Sequence, residues 1–277
     1  MSIQRVCMPL CGVAVGFAVL FLVTSALPGE SVLAGLTNSK EPFAVSCPAE
    51  GKPTDMRKLK DPHTYEALAF VPDASKHPLL LYLHGAGEMR GDVQGIISEG
   101  ATGTPPVELA FDRAPCSLTT RFIVVAPHSS RGWSVEMIEM FLDYLLSESG
   151  LQIDPARLYV TGHSMGGAGA LFAASSGRFA AAVPVAPSGA PAAERLQGVP
   201  VWAFHGKNDV IVPSFVSTGL VEALWNAGAS KDHVKLTLYD DAPAPPGWPD
   251  YYGHASTIPA YATPELYEWL LQHQLPV

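Results

Sequence analysis

The apolar run Leu79-Leu80-Leu81-Tyr82-Leu83 leaves this chain few ways to fold. It has no polar side and is short for a helix, so it reads as a strand that must be covered on both faces. Further runs at 65–71, 122–126, 157–162, 181–186, 199–204 and 234–239 also read as strands. Helical stretches fall between and after them. Residues 134–149 carry an apolar stripe of Val135, Ile138, Phe141, Leu142 and Leu145, with Ser134 placed as an N-cap. Residues 168–174 and 214–227 also read as helices, the second stopped by Gly228, and 264–273 as a closing helix with Pro264 near its first turn. Strands alternating with helices predict an α/β fold: a mainly parallel central sheet with helices on both faces.

The stretch 84–121 interrupts this rhythm with glycines, Pro105-Pro106 and one short helix expected near 107–111. Connections this long inside a compact domain usually serve function.

Of the 277 residues, 48% are hydrophobic and only 16% charged, which suits one large core. A net charge of −9 without clustered Lys and Arg argues against nucleic acid as a partner. Arg5 precedes an almost uncharged apolar run over 6–27, and Val32-Leu33-Ala34 has the small residues favoured at a signal-peptidase site. Residues 1–34 are therefore read as an export signal and the protein as secreted or periplasmic. An uncleaved membrane anchor over 6–27 is the alternative. Residues 35–62, irregular and marked by Pro42, Pro48 and Pro53, are expected to be a lead-in, with the main domain over 63–277. Removal of 1–34 would take Cys7 and Cys11 with it, leaving Cys47 and Cys116 as a disulfide pair or as two buried thiols. Neither has a His or Cys at metal-ligand spacing, and no metal or organic cofactor is expected.

In a parallel α/β sheet, ligands sit beyond the carboxyl ends of the strands. The strand end at 162 carries Gly162-His163-Ser164-Met165-Gly166-Gly167 before a helix. A Ser between flanking glycines on a sharp strand-to-helix turn is the context of a nucleophile elbow, and the Met165 N–H can then face a developing oxyanion. A Gly-bearing turn, His84-Gly85-Ala86-Gly87-Glu88, follows the Leu79 run and can supply a second N–H. Later strand ends lead to His205-Gly206-Lys207-Asn208-Asp209 and to Tyr252-Gly253-His254. Ser164, Asp209 and His254 thus stand in the order nucleophile, acid, base, in which the His activates a weakly nucleophilic alcohol and the acid orients the imidazole. Asp240 and Asp241 compete for the acid, and His233 and His273 for the base. His84, His163 and His205, beside the motif turns, are expected to have structural hydrogen-bonding roles.

These motifs, with Val212-Pro213 after Asp209, resemble the secreted carboxylesterase branch of the α/β-hydrolase superfamily, which includes predicted peptidases and feruloyl-esterase-like enzymes. The resemblance covers roughly 65–273. It implies Ser164 as nucleophile, Asp209 as acid, His254 as base, Ala86 and Met165 as oxyanion donors, and Trp133 as an aromatic lining the site. Two stretches depart from the branch: Met89 interrupts a Gly-Glu-Arg-Gly pattern, and 241–249 is unusually rich in proline. That second stretch precedes His254, where Trp248 and Tyr252 are expected to contact the acyl or aryl part of a substrate. The expected activity is hydrolysis of short-chain or aryl carboxylic esters, small or polymer-derived. A serine peptidase, an acyltransferase and a non-catalytic hydrolase-fold binding protein are the alternatives.

Overall fold

The computed structural model describes residues 55–276. The expected export signal, the alternative anchor, Cys47 and nearly all of the lead-in before residue 55 lie outside the described residues. Eight strands form one sheet: β1 (Asp55–Lys60), β2 (Glu66–Val71), β3 (His77–Leu83), β4 (Ile123–His128), β5 (Ile153–His163), β6 (Ala181–Val185), β7 (Val201–Gly206) and β8 (Val234–Tyr239). Their order across the sheet is β1-β2-β4-β3-β5-β6-β7-β8. β2 runs antiparallel to both β1 and β4, and every other neighbouring pair is parallel.

The helices are α1 (Pro105–Ala110), α2 (Cys116–Arg121), α3 (Val135–Ser147), α4 (Met165–Ala174), α5 (Phe215–Asn226), α6 (Thr257–Tyr261) and α7 (Pro264–Leu270). The pleat of the strands sorts them into two layers. Leu79, Leu81 and Leu83 of β3 pack with Ile138, Phe141 and Leu142 of α3, Leu171 of α4 and Val221 of α5. Leu80 and Tyr82 point the other way, into a second core with Leu109 of α1, Leu118 of α2, Tyr261 of α6 and Tyr267 of α7. The continuous apolar run is thus covered on both faces, as its composition requires.

Several elements differ from the sequence expectation. β1 lies within the stretch expected to be a lead-in. Its Lys58 and Lys60 pair with Glu66 on β2 at 3.4 and 2.9 Å. Charged side chains of this kind suit an edge strand and hide its β character from a hydrophobic pattern. Within 84–121 the chain makes short 3₁₀ turns at Ala86–Met89, Val93–Ile97 and Glu99–Ala101 before α1 and α2. α2 buries only Leu118 and Thr119, too few positions to show a helical period. α6, with Pro259 inside it, went unexpected for the same reason. Ser134 holds the N-cap position of α3, but its hydroxyl makes no capping bond. Cys116 is disulfide-bonded; Cys7, Cys11 and Cys47 all lie outside the described residues. No helix among the described residues is long and apolar enough to cross a membrane.

Candidate active site

Ser164 sits between β5 and α4 with φ 54° and ψ −115°. A non-glycine residue rarely adopts that conformation, and it persists only when its surroundings enforce it. Two carbonyl contacts do so: the Ser164 N–H donates to Val185 O at 2.9 Å, and Ser188 N–H donates to Ser164 O at 3.0 Å. The flanking glycines are needed for space. A Cβ on Gly166 would lie 1.9 Å from Leu83 O, and one on Gly162 would lie 2.4 Å from Gly166 O. Strand, turn and helix therefore approach more closely than any side chain allows, which leaves Ser164 half-buried at the carboxyl edge of the sheet.

Asp209 and His254 meet across the loops that follow β7 and β8. Both are buried, and His254 Nδ1 lies 2.8 Å from Asp209 Oδ2. A carboxylate only accepts, so Nδ1 carries the proton and Nε2 is left as a free lone pair, the state in which it can take a proton. The other carboxylate oxygen accepts from the Ile211 and Val212 N–H groups, each at 2.9 Å. Burial by itself would raise the Asp209 pKa, but the hydrogen bonds from His205, His254 and Val212 outweigh it and hold the carboxyl well below the usual range. Close loop packing makes the pair possible. Gly253 has φ +81°, and a Cβ there would come within 2.4 Å of the Asn208 carbonyl.

The competing acids are elsewhere. Asp240 pairs with Lys207 at 2.5 Å, and Asp241 accepts from Asn208 and from the Tyr252 hydroxyl. His233 and His273 face each other with ring centres 5.4 Å apart, His273 also packing on Trp269 of α7.

The histidines beside the motif turns hold backbone, as expected. His84 Nδ1 donates to Gly85 O at 2.7 Å while its Nε2 accepts from the Ser129 N–H at 2.9 Å. His205 Nε2 donates to Val212 O at 2.9 Å, and its Nδ1 accepts from Ser217. His163 Nε2 donates to the carbonyl of His254 itself, at 2.8 Å. Burial, followed by the neighbouring His254, lowers the His163 pKa to about 3, and burial lowers that of His84 to about 4.

Ala86 and Met165 each open a helical segment, and the first N–H groups of such segments have no partner within the helix. Trp133 lies beneath the 84–88 turn: its indole N–H donates to His84 O at 3.0 Å, and its ring meets Tyr65 and His84 edge-on. α4 comes close enough that a Cβ on Gly169 would sit 2.9 Å from Trp133 Cβ. Trp133 therefore buttresses the turn from the core side. Trp248 and Tyr252 are about half exposed on the loop before His254. Tyr251 lies between Trp248 and the site, with its ring centre 5.3 Å from Trp248 and 6.4 Å from His254. No hydrogen bond joins Ser164 to His254 in this structure; such bonds often tighten only when substrate binds.

The arrangement can therefore set a half-buried hydroxyl, an oriented imidazole and backbone donors at one sheet edge. Comparison with known proteins points the same way. The PET hydrolase-like family matches residues 123–239, which hold the elbow and the acid loop. A crystal structure of a thermostable esterase is 28% identical with a TM-score of 0.62, covering 79% of this chain and 62% of that one. A Klebsiella pneumoniae protein assigned as a dienelactone hydrolase aligns at 16% identity and TM-score 0.53, covering 75% of this chain and 93% of its own. The acylaminoacyl peptidase of Pyrococcus horikoshii aligns at 12% identity and TM-score 0.57, over 82% of this chain and 43% of its own. These last two are likenesses of fold. No curated protein matches the sequence. With its eight-stranded, mainly parallel sheet, helices on both faces and a strained Ser turn after β5, this chain has the α/β-hydrolase fold.

Proposed function

We propose that the protein is an exported serine hydrolase that cleaves carboxylic esters through an acyl-enzyme. The observation that carries this reading is the buried 2.8 Å His254–Asp209 pair at the sheet edge that also presents Ser164 in its strained turn. His254 Nε2 takes the Ser164 proton as Oγ attacks the ester carbonyl carbon. The N–H groups of Ala86 and Met165 receive the negative charge on the carbonyl oxygen. The alcohol leaves with the proton from His254, and Ser164 keeps the acyl group. Water then attacks the acyl carbon, passing its proton to His254, which returns one to Ser164 as the acid departs. Asp209 keeps the imidazole in the Nδ1–H tautomer and stabilises its cationic form.

The thermostable esterase and the PET hydrolase-like match support ester rather than amide bonds. The exposed rings of Trp248, Tyr251 and Tyr252 beside His254 suit a short or aryl ester reaching the site from an open surface. The test is covalent labelling of the protein by a fluorophosphonate, with Ser164→Ala as control. Labelling of wild type alone is expected, and an unlabelled wild type overturns the reading. On p-nitrophenyl esters, acetate and butyrate should turn over faster than palmitate; the reverse order would remove the short-chain preference.

A further inference from the structure

Asn208 stands directly before the acid, and the reaction above gives it no part. The β7–β8 ladder ends at Gly206 and Tyr239, with one more bond from the Lys207 N–H to Tyr239 O at 2.8 Å. Past this point the two strands part into the loops that carry Asp209 and His254. The Asn208 side chain takes the place of the next rung. Its Oδ1 accepts from the Ala242 N–H at 2.9 Å, and its Nδ2 donates to Ala242 O at 2.9 Å and to Asp241 Oδ1 at 3.2 Å. Only an amide offers an acceptor and two donors at one tip, and these partners fit it in one orientation. Ala242 is only 1% exposed, so removing the amide strips a buried residue of bonds at both its N–H and its C=O.

The other end of the same loop returns to the same place. The Val210 N–H donates to Tyr252 O at 3.1 Å, and a Cβ on Gly253 would lie 2.4 Å from the Asn208 carbonyl oxygen. A Cβ on Gly206 would lie 2.5 Å from Gly253 O and 2.8 Å from Ala242 Cβ, so Gly206 leaves the room in which the two ends meet. The Ala255 N–H donates to Pro243 O at 3.0 Å, and the Tyr252 hydroxyl donates to Asp241, which ties the ends to each other. Residues 242–253 therefore form a closed loop of the Ω type, with both ends seated on 208–210. His254 is the first residue after this loop, and Asp209 is the middle of its seat.

We propose that Asn208 is a positioning residue: by pinning the outgoing end of the loop to the residue before the acid, it sets the distance and angle at which His254 meets Asp209. This role rests on the serine-hydrolase reading of the site. Between the end of β8 at Tyr239 and the start of α6 at Thr257 there is no helix or strand to hold the base, so its place depends on how the loop is seated. The 2.8 Å contact of His254 Nδ1 with Asp209 Oδ2 is the register that the pin maintains. Displacing a catalytic group by about 1 Å can cost about 100-fold in rate.

The test compares three variants. Asn208→Ala removes all three side-chain bonds, and Asn208→Asp keeps the acceptor for the Ala242 N–H but loses both donors. Lys207→Ala, the control, breaks only the exposed ion pair to Asp240. On p-nitrophenyl acetate, Asn208→Ala should lower kcat by about 10- to 100-fold with KM within about twofold of wild type. Asn208→Asp should fall between it and wild type, and Lys207→Ala should stay within about twofold. Nitrogen-15 NMR of labelled histidine, recorded far below the melting temperature, should show the His254 Nδ1 proton at low field in wild type and Lys207→Ala. In Asn208→Ala it should move upfield or vanish by exchange, and its absence from Asp209→Asn assigns it. A bond that served stability alone would lower the urea midpoint and leave both readouts of the folded protein unchanged. Wild-type kcat in Asn208→Ala, a loss that appears in KM instead, or an unchanged His254 resonance would each overturn the proposal. If Asn208→Ala does not fold, Asn208→Asp decides: reduced kcat with an upfield shift supports the pin, and wild-type values of either overturn it. The resonance needs no turnover, so it separates failure of this pin from failure of the hydrolase reading, which fluorophosphonate labelling reports.

Discussion

At the scale of single residues, the choice of acid shows most clearly what proximity decides. Asp209, Asp240 and Asp241 are near in sequence to the strand ends that matter, and residue type cannot rank them. In space only Asp209 reaches His254, because Gly206 and Gly253 let the two loops interlock while Asp240 and Asp241 turn to Lys207 and Tyr252. Asp209→Asn should leave the fold intact and lower kcat by about 10³ to 10⁴, since the amide favours the wrong imidazole tautomer. Asp240→Asn breaks only an exposed ion pair and should stay within about twofold of wild type. Steady-state kinetics on p-nitrophenyl acetate measure both. Comparable losses in the two variants would mean that the acid has been misassigned.

At the scale of elements, the elbow is a packing junction as much as a motif. β5 and α4 close on the β3 carbonyls with no room for a side chain at Gly166. Gly166→Ala should therefore destabilise the protein by at least about 3 kcal/mol, because the obstructing atom is backbone and cannot swing aside. Gly87→Ala, where an added Cβ meets nothing within 4 Å, is the matched control and should change stability little. Urea melts of the two variants make the comparison. Elements such as β3, β5 and α3 were legible in the sequence, the strands as apolar runs and the helix as a repeated apolar stripe. β1, α2 and α6 were not: a charged edge strand and helices of five or six residues have too few buried positions to leave a pattern.

At the scale of the whole molecule, buried neutral histidines set the response to acid. His163, His84 and His273 are lowered from 6.5 to about 3, 4 and 4, in each case first by burial. Below pH 6.5 the unfolded chain binds protons at these sites that the folded chain refuses, so stability rises with pH through this window. Their contribution is fully present above 6.5 and is lost progressively as pH falls towards 3. Glu88, raised rather than lowered, acts in the opposite sense, but it is one group against three. Asp209, held low, adds stability that is present above its unfolded value near 3.9 and is lost only as pH falls through its lower folded value. Thermal melts between pH 4 and 7 should show Tm rising with pH. A flat profile would mean that these histidines titrate normally in the folded protein.

The strand–helix alternation and the order Ser164, Asp209, His254 were settled by the chain itself, because burial on two faces and a tight glycine turn are demands that local residues state openly. What the tertiary structure decided was every relation between distant segments: which acid meets His254, and that Trp133 supports the 84–88 turn from beneath. It also placed His163 on the His254 carbonyl. The reason is physical. A sequence records which side chains can be buried or bent, while a hydrogen bond between loops depends on how closely their backbones approach, and here glycines set that approach without leaving a side chain to announce it.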